Sequence, residues 1–210
     1  MNIQKTILTF LLALALVGCV TAQTPKIHLN SSEMAMEITS KVPVVTAAGY
    51  APDGKSVATG GFDKTPRLWD LANAREMMKF KEGHTSAITN VVFSPDGKKL
   101  AVAETGGLTT ISDHVSILWD VATGKVVRKF TGNFGGKLSF SPNGEYILGN
   151  NQKYKRIEAA VKLMDVQKGA VIYEIEGNEG KISPDGKYVA VLIGEKNKGR
   201  FFAYNVGSIA

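Results

Sequence analysis

One tetrapeptide recurs four times at nearly regular intervals, and this repeat limits the possible folds more than any other feature. The copies are Ala-Pro-Asp-Gly at 51–54, Ser-Pro-Asp-Gly at 94–97 and 183–186, and Ser-Pro-Asn-Gly at 141–144. Proline presets the first position of a tight turn and glycine tolerates positive φ, so each copy predicts a turn between two strands. The prolines are 43, 47 and 42 residues apart, a period typical of a repeated four-stranded unit.

A second mark follows each turn and ends a later strand of the same repeat. It reads Leu-Trp-Asp up to Asp70 and Asp120, Leu-Met-Asp up to Asp165, and Ala-Tyr-Asn up to Asn205. Between turn and mark lie short apolar runs such as KLAVAE and YVAVLIG, the pattern of strands buried on both faces. The repeat therefore predicts an all-β fold of about four antiparallel sheets.

These marks resemble the WD-repeat family over about residues 38–205. The second repeat shows most of the family pattern, with a Gly-His pair ending at His84, the turn, and Trp119 followed by Asp120. The resemblance implies a β-propeller whose blades are each stiffened by a buried hydrogen-bond chain. Carried onto this sequence, that structural network comprises Thr59, Asp63, Trp69, His84, Asp113 and Trp119. A satisfied polar network of this kind fixes the packing of the core and does not indicate catalysis.

The later repeats depart from the family pattern. Val102 stands where the first repeat has Thr59, and Met164 and Tyr204 replace the tryptophan. Glu158 and Lys198 occupy the aspartate position. The hydrogen-bond chain is therefore not expected in the third and fourth repeats.

The same resemblance implies how the ring closes. Phe80, Phe130 and Ile175 each follow the last residue of a mark by ten positions and belong to an outer strand. For the fourth repeat, the N-terminal segment 34–40 restores this spacing. We therefore expect a small β-propeller of about four four-stranded antiparallel blades, closed by an N-terminal strand. The expected blades are at about 43–82, 83–131, 132–176, and 177–210 plus strand 34–40. The alternatives are a truncated WD-repeat fragment and an assembly of open arcs.

The N-terminus has the features of an export signal. Lys5 precedes an uncharged, mostly apolar run from Ile7 to Gly18. That run is shorter than the roughly 20 residues of a membrane-spanning helix but suits the central region of a signal peptide. It is therefore excluded from the predicted fold.

The end of this run resembles a bacterial lipoprotein signal. The sequence Leu-Val-Gly precedes Cys19, the one cysteine of the chain. The resemblance implies cleavage after residue 18, lipidation of Cys19, a tether at 19–33, and an outer-membrane lipoprotein facing the periplasm. The alternative is cleavage after Ala22, which gives a secreted or soluble periplasmic protein.

Few residue patterns in the chain indicate catalysis. The three histidines, His28, His84 and His114, lack metal-ligand spacing, and one cysteine excludes a multi-cysteine zinc site. We predict no catalytic residues, no metal and no cofactor. A propeller enzyme of the lactonase or dehydrogenase type remains the alternative, because one sequence does not fix which strand faces line a central channel.

Clustered positive charge is the sharpest candidate for binding. The chain has 25 basic and 19 acidic residues, a formal charge of +6. Two hairpins between second and third strands form the candidate binding rim, which comprises Lys153, Tyr154, Lys155, Arg156, Lys196, Lys198 and Arg200. Such a rim attracts acidic partners, although charged hairpins also simply keep loops solvated.

The expected function is a membrane-tethered, exported WD-repeat protein that acts as a protein-protein interaction scaffold in the cell envelope. The expected partner is an unidentified, acidic protein; the membrane is bound through the lipid anchor, and no nucleic-acid partner is expected in that compartment. The alternative is a propeller that binds a small molecule, a glycan or a lipid head group.

Overall fold

The structure is a computed structural model. It describes residues 44–81, 83–104, 115–131, 135–151, 159–195 and 198–206. Within these ranges the chain forms fifteen β-strands, all paired antiparallel. No helix in the described part of the chain has the length and hydropathy needed to cross a bilayer.

The strands form four sheets in chain order. Sheet 1 contains β1 (Val45–Tyr50), β2 (Ser56–Gly61), β3 (Arg67–Asp70) and β4 (Arg75–Lys79). Sheet 2 contains β5 (Ile88–Phe93), β6 (Lys99–Glu104), β7 (Ser116–Asp120) and β8 (Val126–Phe130). Sheet 3 contains β9 (Leu138–Phe140), β10 (Tyr146–Asn151), β11 (Ala160–Asp165) and β12 (Val171–Glu176). Sheet 4 contains β13 (Glu179–Ile182), β14 (Tyr188–Glu195) and β15 (Lys198–Asn205).

The repeated tetrapeptides form the turns between the first and second strands of each sheet. In the first turn, the N–H of Gly54 donates to the carbonyl of Ala51 at 3.0 Å, and Gly54 has φ of +68°. The turns of successive sheets touch: a Cβ built on Gly97 would lie 3.6 Å from Cδ of Pro52. The same contact joins Gly144 and Gly186 to the prolines of the turns that precede them, at 3.6 and 3.5 Å. All four turns therefore lie in a row at one end of the stacked sheets.

Apolar clusters join successive sheets. Trp119 of sheet 2 packs with Leu68 and Phe80 of sheet 1. The opposite face of sheet 2, which includes Leu118, packs against sheet 3, and the far face of sheet 3 packs against sheet 4 through a further cluster. Sheets 2 and 3 therefore bury both faces between their neighbours, which explains why their central strands read as continuous apolar runs.

The predicted fold class is confirmed at the level of four antiparallel sheets stacked in chain order. Sheet 4 differs from the others because its described part has three strands, with β15 at the edge. The predicted closing strand at 34–40 lies outside the described residues, and the described strands do not show a closed ring.

Candidate functional site

Sheet 1 brings together two residues of the predicted blade network. The Nε1–H of Trp69 donates to Thr59 Oγ1 at 2.8 Å. Asp63, in the loop between β2 and β3, forms an ion pair with Arg67 and accepts from the backbone N–H of Thr65 at 3.4 Å. Asp63 thus stabilises the hairpin loop, and Thr59 satisfies the buried indole.

Sheet 2 has a different network, centred on Glu104. Its side chain is 3% exposed, and its Oε2 lies 3.2 Å from Nδ1 of His84. The same oxygen accepts from the backbone N–H groups of Thr85 at 2.8 Å and Ser86 at 3.3 Å. Burial alone raises the pKa of Glu104, but the hydrogen bonds from His84, Thr85 and Ser86 outweigh it and hold the pKa below its ordinary value.

Sequence reasoning missed Glu104. One signal was present, because Glu104 is the acidic last residue of an otherwise apolar run that reads KLAVAE. A charge at the end of a fully buried strand requires partners. Asp113, the residue predicted for this network, lies outside the described residues.

Two buried nitrogen atoms of the sheet 2 network lack a hydrogen-bond partner within the described part of the chain: Nε2 of His84 and Nε1 of Trp119. The two rings are neighbours, with centroids 6.0 Å apart. Strand register explains the difference from sheet 1. Val102 stands two residues beyond the partner of Trp119, as Thr59 stands two residues beyond the partner of Trp69. Valine offers no hydroxyl there.

The remaining predicted residues lie mostly outside the described ranges, namely Cys19, Lys153, Tyr154, Lys155, Arg156 and Lys196. Lys198 and Arg200 lie on β15, where backbone pairing joins them to Glu195 and Ile193 of β14. This hairpin is at the end of its sheet opposite to the turn of 183–187, as the sequence predicts from strand order.

The two ends of the stack differ in how much the lengths of their loops vary from sheet to sheet. At the turn end, the loops between first and second strands are 51–55, 94–98, 141–145 and 183–187, each of five residues. At the opposite end, the loops between second and third strands are 62–66, 105–115, 152–159 and 196–197, with five, eleven, eight and two residues. Variable loops on a rigid scaffold are typical of a binding face. In the described part of the chain, no group of three or more His, Cys, Asp or Glu could hold a metal ion.

Comparison with curated proteins finds WD-repeat relatives. The chain is 28% identical to "Guanine nucleotide-binding protein subunit beta" of Oryza sativa subsp. indica over 69% of this chain and 40% of the relative. It is 29% identical to "Small ribosomal subunit protein RACK1y" of Oryza sativa subsp. japonica over 60% of this chain and 33% of the relative. It is 26% identical to mouse (Mus musculus) "Serine-threonine kinase receptor-associated protein" over 78% of this chain and 44% of the relative. The chain thus spans less than half the length of these relatives.

Among solved structures, the chain resembles one titled "Kuenenia stuttgartiensis Hydrazine Synthase", with a TM-score of 0.59 and 23% identity. The superposition covers 70% of this chain and 43% of that chain. At this identity the likeness shows the fold alone. Residues 28–180 match the family model described as "Eukaryotic translation initiation factor eIF2A". Because this match covers most of the sequence, the chain belongs to that family, and its relatives include WD-repeat proteins.

Proposed function

We propose that the protein is an exported, membrane-tethered scaffold that binds a protein partner through the variable-loop end of its stacked sheets. The contrast between uniform loops at one end and variable loops at the other carries this proposal. The names of the relatives support it, since they describe a subunit, a ribosomal subunit protein and a receptor-associated protein. The partner that fits the candidate binding rim is an acidic protein segment, because the rim places lysine and arginine on two of these loops.

Charge reversal tests this binding face. The rim variant changes Lys153, Lys155, Lys196 and Lys198 to glutamate. The matched control changes Lys55, Lys98, Lys168 and Lys187 to glutamate, which alters the net charge equally at the opposite end. Cross-linking capture from intact cells should recover a stoichiometric partner with the wild type and the control but not with the rim variant. Equal recovery by all three proteins would refute the rim as the binding face.

The proposed membrane tether is lipidated Cys19, with residues 19–33 as the linker. The intact mass of the purified protein tests it. A chain that begins at Cys19 and carries acyl groups supports the tether, whereas a chain that begins at Gln23 supports the soluble exported form.

A scaffold inside the cell is the second candidate function. It is favoured by the family description, which concerns translation initiation, and by the formal charge of +6. An intact mass that retains Met1, together with binding to RNA that falls with rising salt, would support this second candidate.

We also propose that residues 34–40 supply the fourth strand of sheet 4. The strand would lie beside β15, next to an apolar groove lined by Tyr173, Ile175, Tyr204 and Val206. If Ile38 takes the place of Phe80, Met36 pairs with Ala203, as Met78 pairs with Leu68. A cysteine pair at Met36 and Ala203 should then form a disulfide within one chain.

A pair at Ser40 and Ala203 is the displaced control for this cross-link. A link between two chains would instead show that the strand comes from a second molecule. Equal linking of both pairs would refute the proposed register, and the absence of a link would refute the strand.

A further inference from the structure

The outer strands of sheets 1 and 2 form a surface that the functions above do not use. Exposed basic and apolar side chains occupy equivalent positions on both strands and on the residues that flank them. This surface, here named the basic strip, comprises Arg75, Met77, Lys79, Lys81, Lys125, Val127 and Lys129, all of them exposed. The apolar members are unusually accessible, with Met77 57% exposed and Val127 45% exposed.

Strand register places the two halves of the strip at equivalent positions. Lys79 pairs with Arg67 on β3, and Lys129 pairs with Ile117 at the matching position of β7. Met77 and Val127 lie two residues before these lysines, at the point where the register of each outer strand shifts. The basic-apolar-basic order is therefore the same on both sheets.

The two halves also lie against each other. A Cβ built on Gly124, just before β8, would come within 2.7 Å of Sδ of Met78. A Cβ built on Gly83, just beyond Lys81, would lie 3.0 Å from Nζ of Lys129. The contacts at both ends make the strip one continuous surface rather than two separate strands.

The charge pattern reverses at sheet 3. Glu174 pairs with Lys162 and so occupies the position of Lys79 and Lys129. Two residues later, Glu176 takes the position of Lys81. The strip therefore does not continue from sheet 2 onto sheet 3. Glu76, an acidic residue of β4 beside the strip, forms ion pairs with Arg67 at 3.3 Å and with Lys79 at 3.2 Å.

We propose that the basic strip rests on anionic lipid head groups and so orients the stacked sheets on a membrane. Lysine and arginine near an anionic bilayer strengthen binding by about fivefold each, and their aliphatic stems, with Met77 and Val127, contact the boundary with the acyl chains. A lipid anchor combined with a basic patch gives stable attachment where one acyl chain alone does not. The inference rests on the proposed membrane attachment for its biological setting, but its chemistry can be tested separately.

The test is vesicle flotation of the full chain as purified from cells. Vesicles of phosphatidylcholine are compared with vesicles that also contain phosphatidylglycerol. The wild type should bind the anionic vesicles at least about tenfold more tightly, and the difference should shrink as salt is raised. The double variant K79E and K129E should lose this preference.

The matched control is the double variant K168E and K187E. It changes the net charge equally at side chains that are 81% and 70% exposed but lie at the turn end. The control should keep the anionic preference. Equal loss in both variants would show a general charge effect and overturn the proposed surface.

The remaining outcomes distinguish membrane binding through the basic strip from membrane binding through the lipid anchor. Binding to both vesicle types alike overturns the strip and leaves the anchor, whereas binding to anionic vesicles alone supports the strip and refutes the anchor. If the lysines only guard strand edges against pairing, the strip variant will self-associate and keep its lipid preference, which overturns the proposal. Tighter binding to polyglutamate than to anionic vesicles would also overturn it, in favour of an acidic peptide.

Discussion

At the scale of single residues, sheets 1 and 2 solve the burial of a tryptophan in different ways. Trp69 donates to Thr59, whereas Trp119, which is 1% exposed, faces Val102 and has no described partner. An unpaired buried donor costs about 1–3 kcal/mol. In sheet 2, the dense packing around Trp119 and the carboxylate network of Glu104 offset this cost.

A hydroxyl at position 102 should complete the network of sheet 2. We predict that Val102→Thr, which conserves the shape of the side chain, raises the free energy of unfolding by about 1 kcal/mol. The new hydroxyl would accept from Trp119 and donate to Nε2 of His84. Val91→Thr is the control, because Val91 is 2% exposed in the same cluster and its hydroxyl should cost about 1–3 kcal/mol. Urea unfolding measures both variants, and equal destabilisation would contradict the prediction.

Glu104 should make stability depend on acidity. Because its folded-state pKa lies below the ordinary value of 4.5, the ionised form stabilises the fold above that pH. The stabilisation is lost as the pH falls through the folded-state pKa. We predict that Glu104→Gln lowers the free energy of unfolding at neutral pH by about 1–3 kcal/mol, and that the deficit shrinks in acid.

Chemical unfolding over a pH series checks the role of Glu104. Glu174→Gln is the control, since the Glu174 side chain is 57% exposed, and it should change little at any pH. A deficit of Glu104→Gln that stays constant from neutral pH into acid would contradict the assigned ionised state.

At the scale of elements, the turns between third and fourth strands share a left-handed backbone conformation at one position. The turn between the third and fourth strands ends on glycine in sheets 2 and 3, at Gly124 with φ of +65° and Gly169 with φ of +69°. Sheet 1 has Ala74 at the same place, with φ of +51°. A side chain with a Cβ is strained in this region by about 1–2 kcal/mol, so the fold imposes this conformation against local preference.

Relief of this strain is predicted to stabilise the protein. Ala74→Gly should raise the free energy of unfolding by about 1 kcal/mol. Ala72→Gly in the same turn is the control and should be neutral or destabilising, because glycine there only adds freedom to the unfolded chain. Thermal melts of both variants test the prediction, which fails if Ala74→Gly melts at or below the wild type.

At the scale of the whole molecule, single polar side chains help to fix each sheet on the next. Asn90 Oδ1 accepts from the backbone N–H of Leu138 at 3.1 Å, and Asn150 Oδ1 accepts from that of Gly180 at 3.2 Å. Each bond crosses from one sheet to its successor. In a stack where each unit contacts its neighbours, such a contact governs the local stability of the junction.

The removal of one hydrogen bond between neighbouring sheets should destabilise one sheet alone. We predict that Asn150→Ala destabilises the attachment of sheet 4 by about 1–3 kcal/mol, because the buried N–H of Gly180 is left unpaired. Hydrogen exchange should accelerate in β13–β15 while β5–β8 keep their protection. Asn143→Ala, in an exposed turn, is the control. Uniform acceleration across all sheets would show that the stack unfolds as a single cooperative unit.

The sequence by itself determined the number and order of the sheets. Proline and glycine act through local backbone geometry, so the four tetrapeptides specify four turns wherever the rest of the chain goes. The marks ending at Asp70 and Asp120 likewise place a tryptophan on the third strand of sheets 1 and 2. These inferences need no knowledge of contacts between sheets.

Only the tertiary structure decided which side chains meet. Glu104 reaches His84 across 20 residues of chain, and Met78 meets the turn at Gly124 across the junction of two sheets. Such contacts depend on strand register and on the way one sheet stacks on the next, which are set by the sum of many weak packing terms. For this reason the turn residues could be predicted one by one, whereas the carboxylate network and the continuous basic strip emerged only from the stacked sheets.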